Sequence, residues 1–408
     1  MKSFDRYEEL LDIYDDEEAI DAFEIEDFQE EIIIDPRTGM ARQAGTSMTG
    51  EFINRIRKRC EGDLYVFSKA IMARDYLTKA LHLPVCNFLQ KVPPFRKMLL
   101  LPRDHAKTSI VAHCLPPHIL IQPPESNIYF PGHAGNEMRI LLCGKTEGMA
   151  SKNLGVIQAL WESNDLFRTF WPKLCWERPK AQARRWNNLE MVIPRETHWP
   201  DSTIRAIGVG GAIAGARPTV LIKDDLIGLE DANSEVVMQT AIEWHVASRA
   251  LMEEYEKDTG QEALEFVIGT RWAVYDLYEY IIQSDPTVEV VTRSIIEENK
   301  TIWPERFDQT RVDQLKKEFG SMFYLLYMNS AANPELTDFD IDKVRNFQFI
   351  NNQIIFEETE DDALLAERWK KQPYTGVSLP HGSKLQDKHT WDSILGRGRG
   401  EYFRVKYG

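Results

Sequence analysis

The segment Leu101-Pro102-Arg103-Asp104-His105-Ala106-Lys107-Thr108 follows a short apolar run, Lys97 to Leu101, and leads into a stretch of helical character from Lys107. Strand, polar loop and helix in that order is the layout that holds a nucleoside triphosphate. Backbone N–H groups and a helix N-terminus attract phosphate oxygens. A lysine spans the β- and γ-phosphates, and a hydroxyl ligates Mg²⁺. Lys107 and Thr108 are the residue types for those two tasks, with Arg103, Asp104, His105 and Ala106 forming the loop before them. The glycines of the GxxxxGK[ST] pattern are absent, their places taken by Leu101 and Ala106, so the motif alone is weak.

A second candidate is Val220-Leu221-Ile222-Lys223-Asp224-Asp225, an apolar strand ending in paired carboxylates. Asp224 would hold Mg²⁺, directly or through water, and Asp225 would polarise the attacking water. A strand end followed by an ordinary Asp-Asp turn reads the same way. The third is Phe266-Val267-Ile268-Gly269-Thr270-Arg271-Trp272, where Thr270 could sense the γ-phosphate and pass its loss to the rest of the chain. The three motifs are separated by about 117 and 45 residues. In a parallel sheet the C-terminal ends of the strands face one crevice. That would bring Lys107, Thr108, Asp224, Asp225 and Thr270 together.

The elements needed for this are legible. Buried-strand candidates are Lys97 to Leu101, Ile140 to Cys143, Val220 to Ile222, Phe266 to Ile268 and Val288 to Val291, and helical stretches such as Met149 to Trp161 and Val236 to Glu256 separate them. Helical periodicity also runs from about Glu51 to Leu89. Apolar strands alternating with helices predict an α/β fold with a mainly parallel central sheet and helices on both faces. Residues 32–48 read as a linker, and past Asn333 the alternation weakens.

The chain has 408 residues and a net charge of -15. Residues 1–31 hold 14 acidic side chains against Lys2 and Arg6, an acidic arm, so the remainder is close to neutral. Basic clusters stand out there: Arg55 to Arg59, Arg178 to Arg185, and Lys384 to Lys406 with a basic tail from Trp391. Affinity for DNA depends on such local patches rather than on the total, although each reads equally as a solvated face. The five cysteines are scattered singly, which argues against a disulfide framework or a zinc site. No histidine has metal-ligand spacing. No stretch approaches the roughly 20 apolar residues of a membrane span, and the N-terminus is not a signal peptide, so a cytoplasmic chain is expected.

Taken together, these motifs resemble the ATPase motor of phage large terminases. Leu100 to Thr108 (LLPRDHAKT) is similar to the family's variant Walker A, and Ile140 to Ser151 (ILLCGKTEGMAS) to the strand and helix after it. Ile204 to Pro218 (IRAIGVGGAIAGARP) looks like the approach to Walker B, and Ile268 to Trp272 (IGTRW) like the coupling motif. Trp303 to Arg306 and Gly320 to Tyr327 resemble the end of the motor domain, so the likeness covers roughly residues 80–340.

The resemblance implies a P-loop NTPase of the ASCE, RecA-like kind, using ATP and Mg²⁺. Lys107 and Thr108 would bind phosphate and metal, Asp224 would be the Walker B carboxylate, and Thr270 the coupling residue. Arg103 would act as a cis arginine finger. Asp225 stands where many relatives carry Glu, so it or Glu230 would be the base, and Arg217 would face nucleotide, DNA or its own loop. The implied setting is the host cytoplasm and, transiently, the capsid portal. There a ring of copies with portal protein, small terminase subunit and possibly a separate nuclease chain would drive double-stranded DNA into a capsid. The expected division is an arm and linker over 1–48, an ATPase domain over 49–340 and an extension over 341–408. About 70 residues follow position 340, too few for the family's RNase H-like nuclease. A non-hydrolysing structural subunit and a helicase-like ATPase remain alternatives.

Overall fold

The computed structural model describes residues 50–330, except 214, 233 and 253–260, and the backbone of short stretches at 32–34, 41–43, 46–47, 344–350, 353–356 and 402–405. The acidic arm and most of the basic tail lie outside the described residues.

Apolar runs of β-branched and long aliphatic residues build the central sheet. Its strands are β1 (Arg96–Leu100), β2 (Ile140–Gly144), β3 (Glu190–Met191), β4 (Ile204–Gly208), β5 (Val220–Asp224), β6 (Leu264–Gly269) and β7 (Glu289–Thr292). They lie in the order β7-β1-β6-β5-β2-β4-β3. Every neighbouring pair is parallel except β3 with β4.

The helices that position the site are α1 (Gly50–Gly62), α2 (Leu64–Ala70), α3 (Lys79–Gln90), α4 (Leu115–Leu120), α5 (Glu147–Ser163), α6 (Asp165–Phe170), α7 (Glu235–Arg249), α8 (Leu277–Ser284) and α9 (Gln309–Phe319). Side chains alternate between the two faces of a strand, and this chain uses both. Leu99, Leu142, Ile222, Phe266 and Ile268 enter a core with residues of α2 to α6. Met98, Leu100, Leu141, Leu221 and Val267 enter a second core with α7 and α8. Side-chain caps start several helices: Asp63 accepts from the N–H groups of Tyr65 and Val66, Thr146 from Met149, Ser234 from Val237 and Asp276 from Glu279.

Several details depart from the sequence expectation. The periodic stretch from Glu51 to Leu89 is three helices: the Asp63 cap starts the second, and a turn over residues 71–78, with Ala73 at positive φ, separates the third. Strands β3 and β4 were not anticipated. β3 has two residues, and Arg205 interrupts the apolar pattern of β4. The helix expected from Val236 to Glu256 runs from Glu235 to Arg249, and the last four residues of that expectation lie outside the described residues. The stretch read as a linker contains strands Ile32–Ile34, Ala41–Gln43 and Thr46–Ser47, paired antiparallel. All five cysteines are free, and four are buried.

The chain divides into two units, Met1–Glu318 with Leu325–Asn329, and Phe319–Tyr324 with Ser330–Gly408. The second contains a three-stranded sheet in which Val344–Ile350 pairs antiparallel with Gln353–Phe356 and parallel with Tyr402–Val405.

Candidate functional site

The register of the sheet sets the strand ends level. Leu100 pairs with Gly269, Ile268 with Asp224, and Asp224 with Gly144. The residues that follow these ends therefore share one edge. There they line a cleft of about 400 Å³: Arg103 to Ser109 after β1, Thr270 and Trp272 after β6, Asp225 after β5, and Lys145 and Met149 after β2.

The loop after β1 has an unusual backbone. Asp104 and Ala106 both adopt positive φ, +63° and +62°. Ala106 thus takes up the left-handed conformation for which glycine is the usual residue, at a cost of about 1–2 kcal/mol. Between them His105 is fully buried and serves as the anchor. Its ring stacks on Phe307 at 4.5 Å between centroids and meets Trp303 edge-on at 5.7 Å. Its Nδ1 lies 2.9 Å from the Arg103 carbonyl oxygen and donates to it. Burial holds the imidazole near a pKa of about 4, hence neutral. The Arg103 N–H donates to the Leu326 carbonyl at 2.9 Å, and its guanidinium is exposed at the rim.

The carboxylates meet this loop directly. The Thr108 hydroxyl donates to Asp224 Oδ1 at 2.9 Å, and Asn153 Nδ2 donates to Oδ2 at 2.8 Å. Burial and the adjacent Asp225 raise the Asp224 carboxyl, while Thr108 and Lys107 oppose the shift. Lys107 Nζ lies 3.5 Å from Asp225 Oδ2. Asp225 has a positive φ of +44°, and its N–H is held by the Ile268 carbonyl. Its Oδ1 is buried without a hydrogen-bond partner among the described residues. A strained backbone with an unsatisfied carboxylate oxygen is the kind of arrangement that persists at functional sites.

These groups fit Mg²⁺, which takes oxygen donors and needs only one or two carboxylates beside phosphate and water. Thr108, Asp224 and Asp225 supply such donors. The described residues contain no cluster of three or more His, Cys, Asp or Glu side chains able to hold a metal.

Thr270 is buried at the same edge. The glycine before it is required by packing, since a Cβ at Gly269 would lie 2.0 Å from Tyr278 Cζ. Arg271 is pinned by Asp276 at 3.1 Å and Glu279 at 2.9 Å, so it fixes the loop after β6 to the start of α8.

Other candidates fall elsewhere. Glu230 is 94 % exposed and does not itself line the cleft, although it pairs at 3.8 Å with Lys145, which does. Arg217 is exposed and donates to the Ala216 carbonyl. In the cluster from Arg178 to Arg185, Lys180 pairs with Glu162, while Arg184 and Arg185 bind the carbonyls of Trp199 and Pro200. Part of that charge therefore holds a loop together.

Residues not proposed for the site from the sequence also line the cleft: Tyr76, and Lys145, Met149, Trp272 and Arg306 from stretches that carried the resemblance. The Arg306 guanidinium lies 5.2 Å above Trp303 and 5.8 Å above Phe307. Lys145 carried a signal, as the residue immediately beyond a strand end. Asn153 carried none, being one polar residue on a helix.

No family model matches the chain, and no curated protein matches it. Among solved structures it is similar to the crystal structure of the HK97 bacteriophage large terminase, with 13% identity and a TM-score of 0.38. The match covers 78% of this chain and 66% of that one. The chain therefore spans just under two thirds of that protein's length. The similarity is distant and carries no weight in assigning residues. Among the described residues no helix is long and apolar enough to cross a membrane.

Proposed function

We propose that this chain is an ATP-hydrolysing motor subunit of the large-terminase kind, which moves double-stranded DNA into a preformed capsid. The convergence of the 101–108 loop, Asp224, Asp225 and Thr270 on one level sheet edge carries the hydrolytic part of the reading. The placement of β6 between β1 and β5 accords with an ASCE-type P-loop NTPase. The packaging part rests on the sequence motifs LLPRDHAKT and IGTRW.

In this reading Lys107 binds the β- and γ-phosphates, and Thr108 and Asp224 hold Mg²⁺. Bound there, Mg²⁺ neutralises charge developing on the transferred phosphoryl group. Asp225 orients the attacking water and takes its proton. Arg103, exposed at the rim, swings onto the γ-phosphate. Thr270 couples phosphate release to the loop tied by Arg271. The DNA grip uses phosphate contacts, because a packaging motor must accept any sequence. Binding then weakens steeply with salt. Portal protein, the small terminase subunit and further copies in a ring are the partners this role requires.

The test is Mg²⁺-dependent ATP hydrolysis by the full chain, with and without double-stranded DNA. Lys107→Ala and Asp224→Ala are expected to abolish turnover. Asp225→Asn is expected to abolish it while nucleotide still binds, and Glu230→Gln to leave it intact. A chain that binds no ATP overturns the motor reading.

A further inference from the structure

A chain of hydrogen bonds behind the cleft ends on Asp224. Arg74 NH2 lies 3.5 Å from His113 Nδ1, His113 Nε2 lies 3.0 Å from Asn153 Oδ1, and Asn153 Nδ2 lies 2.8 Å from Asp224 Oδ2. The chemistry of the groups sets its polarity. A guanidinium only donates, so His113 Nδ1 accepts and the proton sits on Nε2. Nε2–H then donates to the Asn153 carbonyl oxygen, which leaves the amide N–H₂ to donate to the carboxylate. Every donor points toward Asp224. The remaining oxygen, Oδ1, takes the Thr108 hydroxyl. Both oxygens of one buried carboxylate are therefore oriented by side chains from separate elements.

The local helix geometry has the same consequence. Thr108 and His113 lie five residues apart, and the segment Ser109–Cys114, which Thr108 precedes and which contains His113, is π-helical. In an α-helix two such positions would diverge by about 140° around the axis. A π turn, bonded i to i+5, brings them close to one face. Thr108 and His113 can then both serve Asp224, one directly and one through Asn153.

We propose that Asn153, His113 and Arg74 are positioning residues that hold the Asp224 carboxylate in the orientation Mg²⁺ requires, and that the π-helical turn serves to place His113 in that chain. This rests on the nucleotide-site reading given above. The chain also joins the carboxylate to the segment carrying Tyr76, which lines the cleft two residues beyond Arg74.

The test titrates a fluorescent ATP analogue into the full-length chain, in EDTA and over a series of Mg²⁺ concentrations. His113→Leu and Asn153→Ala are each expected to raise the half-saturating Mg²⁺ concentration by about 10–100-fold, the range for removing a group that orients a metal ligand. Affinity in EDTA stays at the wild-type value. His113→Gln, which retains an N–H near the Nε2 position, recovers most of the loss. If His113→Leu does not fold, Asn153→Ala on the half-buried face of α5 carries the same comparison. An unchanged Mg²⁺ dependence in a wild-type background that binds Mg²⁺ and nucleotide overturns this proposal alone. An equal loss with and without Mg²⁺ also overturns it, since that marks a merely structural role. A wild-type chain that binds no nucleotide overturns the site reading and this proposal with it.

Discussion

Three residues in this site hold backbone conformations that their side chains disfavour: Asp104, Ala106 and Asp225, each at positive φ. Around Ala106 the conformation is held by the buried His105 ring, stacked on Phe307 and hydrogen-bonded to the Arg103 carbonyl. The loop thus reaches a glycine-like shape without glycine. Ala106→Gly removes about 1–2 kcal/mol of strain and adds about 0.5–1 kcal/mol of chain entropy to be lost on folding. A small net stabilisation is expected in denaturant titrations, with nucleotide binding retained. Ala106→Val, β-branched at the same φ, is expected to lose stability. A substantial loss with glycine would show that the left-handed conformation is not what the loop requires. That Lys107 and Thr108 stand in a polar loop at a strand end was legible in their spacing from the preceding strand. The role of His105 was not, because its partners Trp303 and Phe307 lie some 200 residues away in sequence.

At the scale of elements, β5 is fastened on both faces. Asp224 faces the loop after β1, while the preceding Lys223 points into the opposite core and is fully buried. There Lys223 Nζ bonds Glu265 Oε1 of β6 at 2.6 Å and His245 Nδ1 of α7 at 2.8 Å. Arg249 meets the other Glu265 oxygen at 3.2 Å and Asp285 at 2.5 Å. Burial pushes the Glu265 carboxyl up, but the charges of Lys223 and Arg249 and the hydrogen bond from Lys223 outweigh it and hold it below its ordinary value. Removing one partner of a buried pair strands the other, so Glu265→Ala is expected to cost about 3–5 kcal/mol in chemical denaturation. Replacing both partners, Lys223→Met with Glu265→Leu, is expected to recover much of that. If the single variant is as stable as the parent, the bridge does not fasten β5. Strands β1, β2, β5 and β6 were legible as apolar runs bounded by turns. β3 and β4 were not: β3 is a two-residue edge strand, and Arg205 breaks the apolar pattern of β4, whose strand character comes from pairing with β2 and β3.

Across the whole molecule, neutral imidazoles buried outside the cleft lining link stability to pH. His118 donates from Nε2 to the Cys60 carbonyl at 2.9 Å and accepts the Tyr129 hydroxyl at 2.8 Å. Burial lowers its pKa to about 3. Burial, with Lys223 beside it, lowers His245 to about 3 as well. The unfolded chain protonates these groups near pH 6.5 and the folded chain does not, so below that pH the unfolded state binds more protons. Stability is therefore complete above about pH 6.5 and falls on acidification, by about 1.4 kcal/mol per pH unit for each such group. Calorimetric melts from pH 7.5 to 5 should show a falling Tm. A flat profile would mean that these imidazoles are not buried neutral.

Local patterning determined the parts of the site. Runs of apolar residues ending in Pro-Arg, Asp-Asp and Gly-Thr are strands followed by polar loops, and their alternation with helices implies a parallel sheet whose strand ends share an edge. Tertiary structure alone decided how the parts are held. Strand order, the level register of Leu100, Asp224 and Gly269, the aromatic seat of His105 and the bonds from Arg74 to Asp224 all join residues distant in the chain. Such contacts depend on which surfaces pack together, and periodicity carries no record of that. For the same reason the fold gives different surroundings to Asp225, the base the sequence favours, and to its alternative Glu230: one lies 3.5 Å from Lys107, and the other stands in solvent against Lys145.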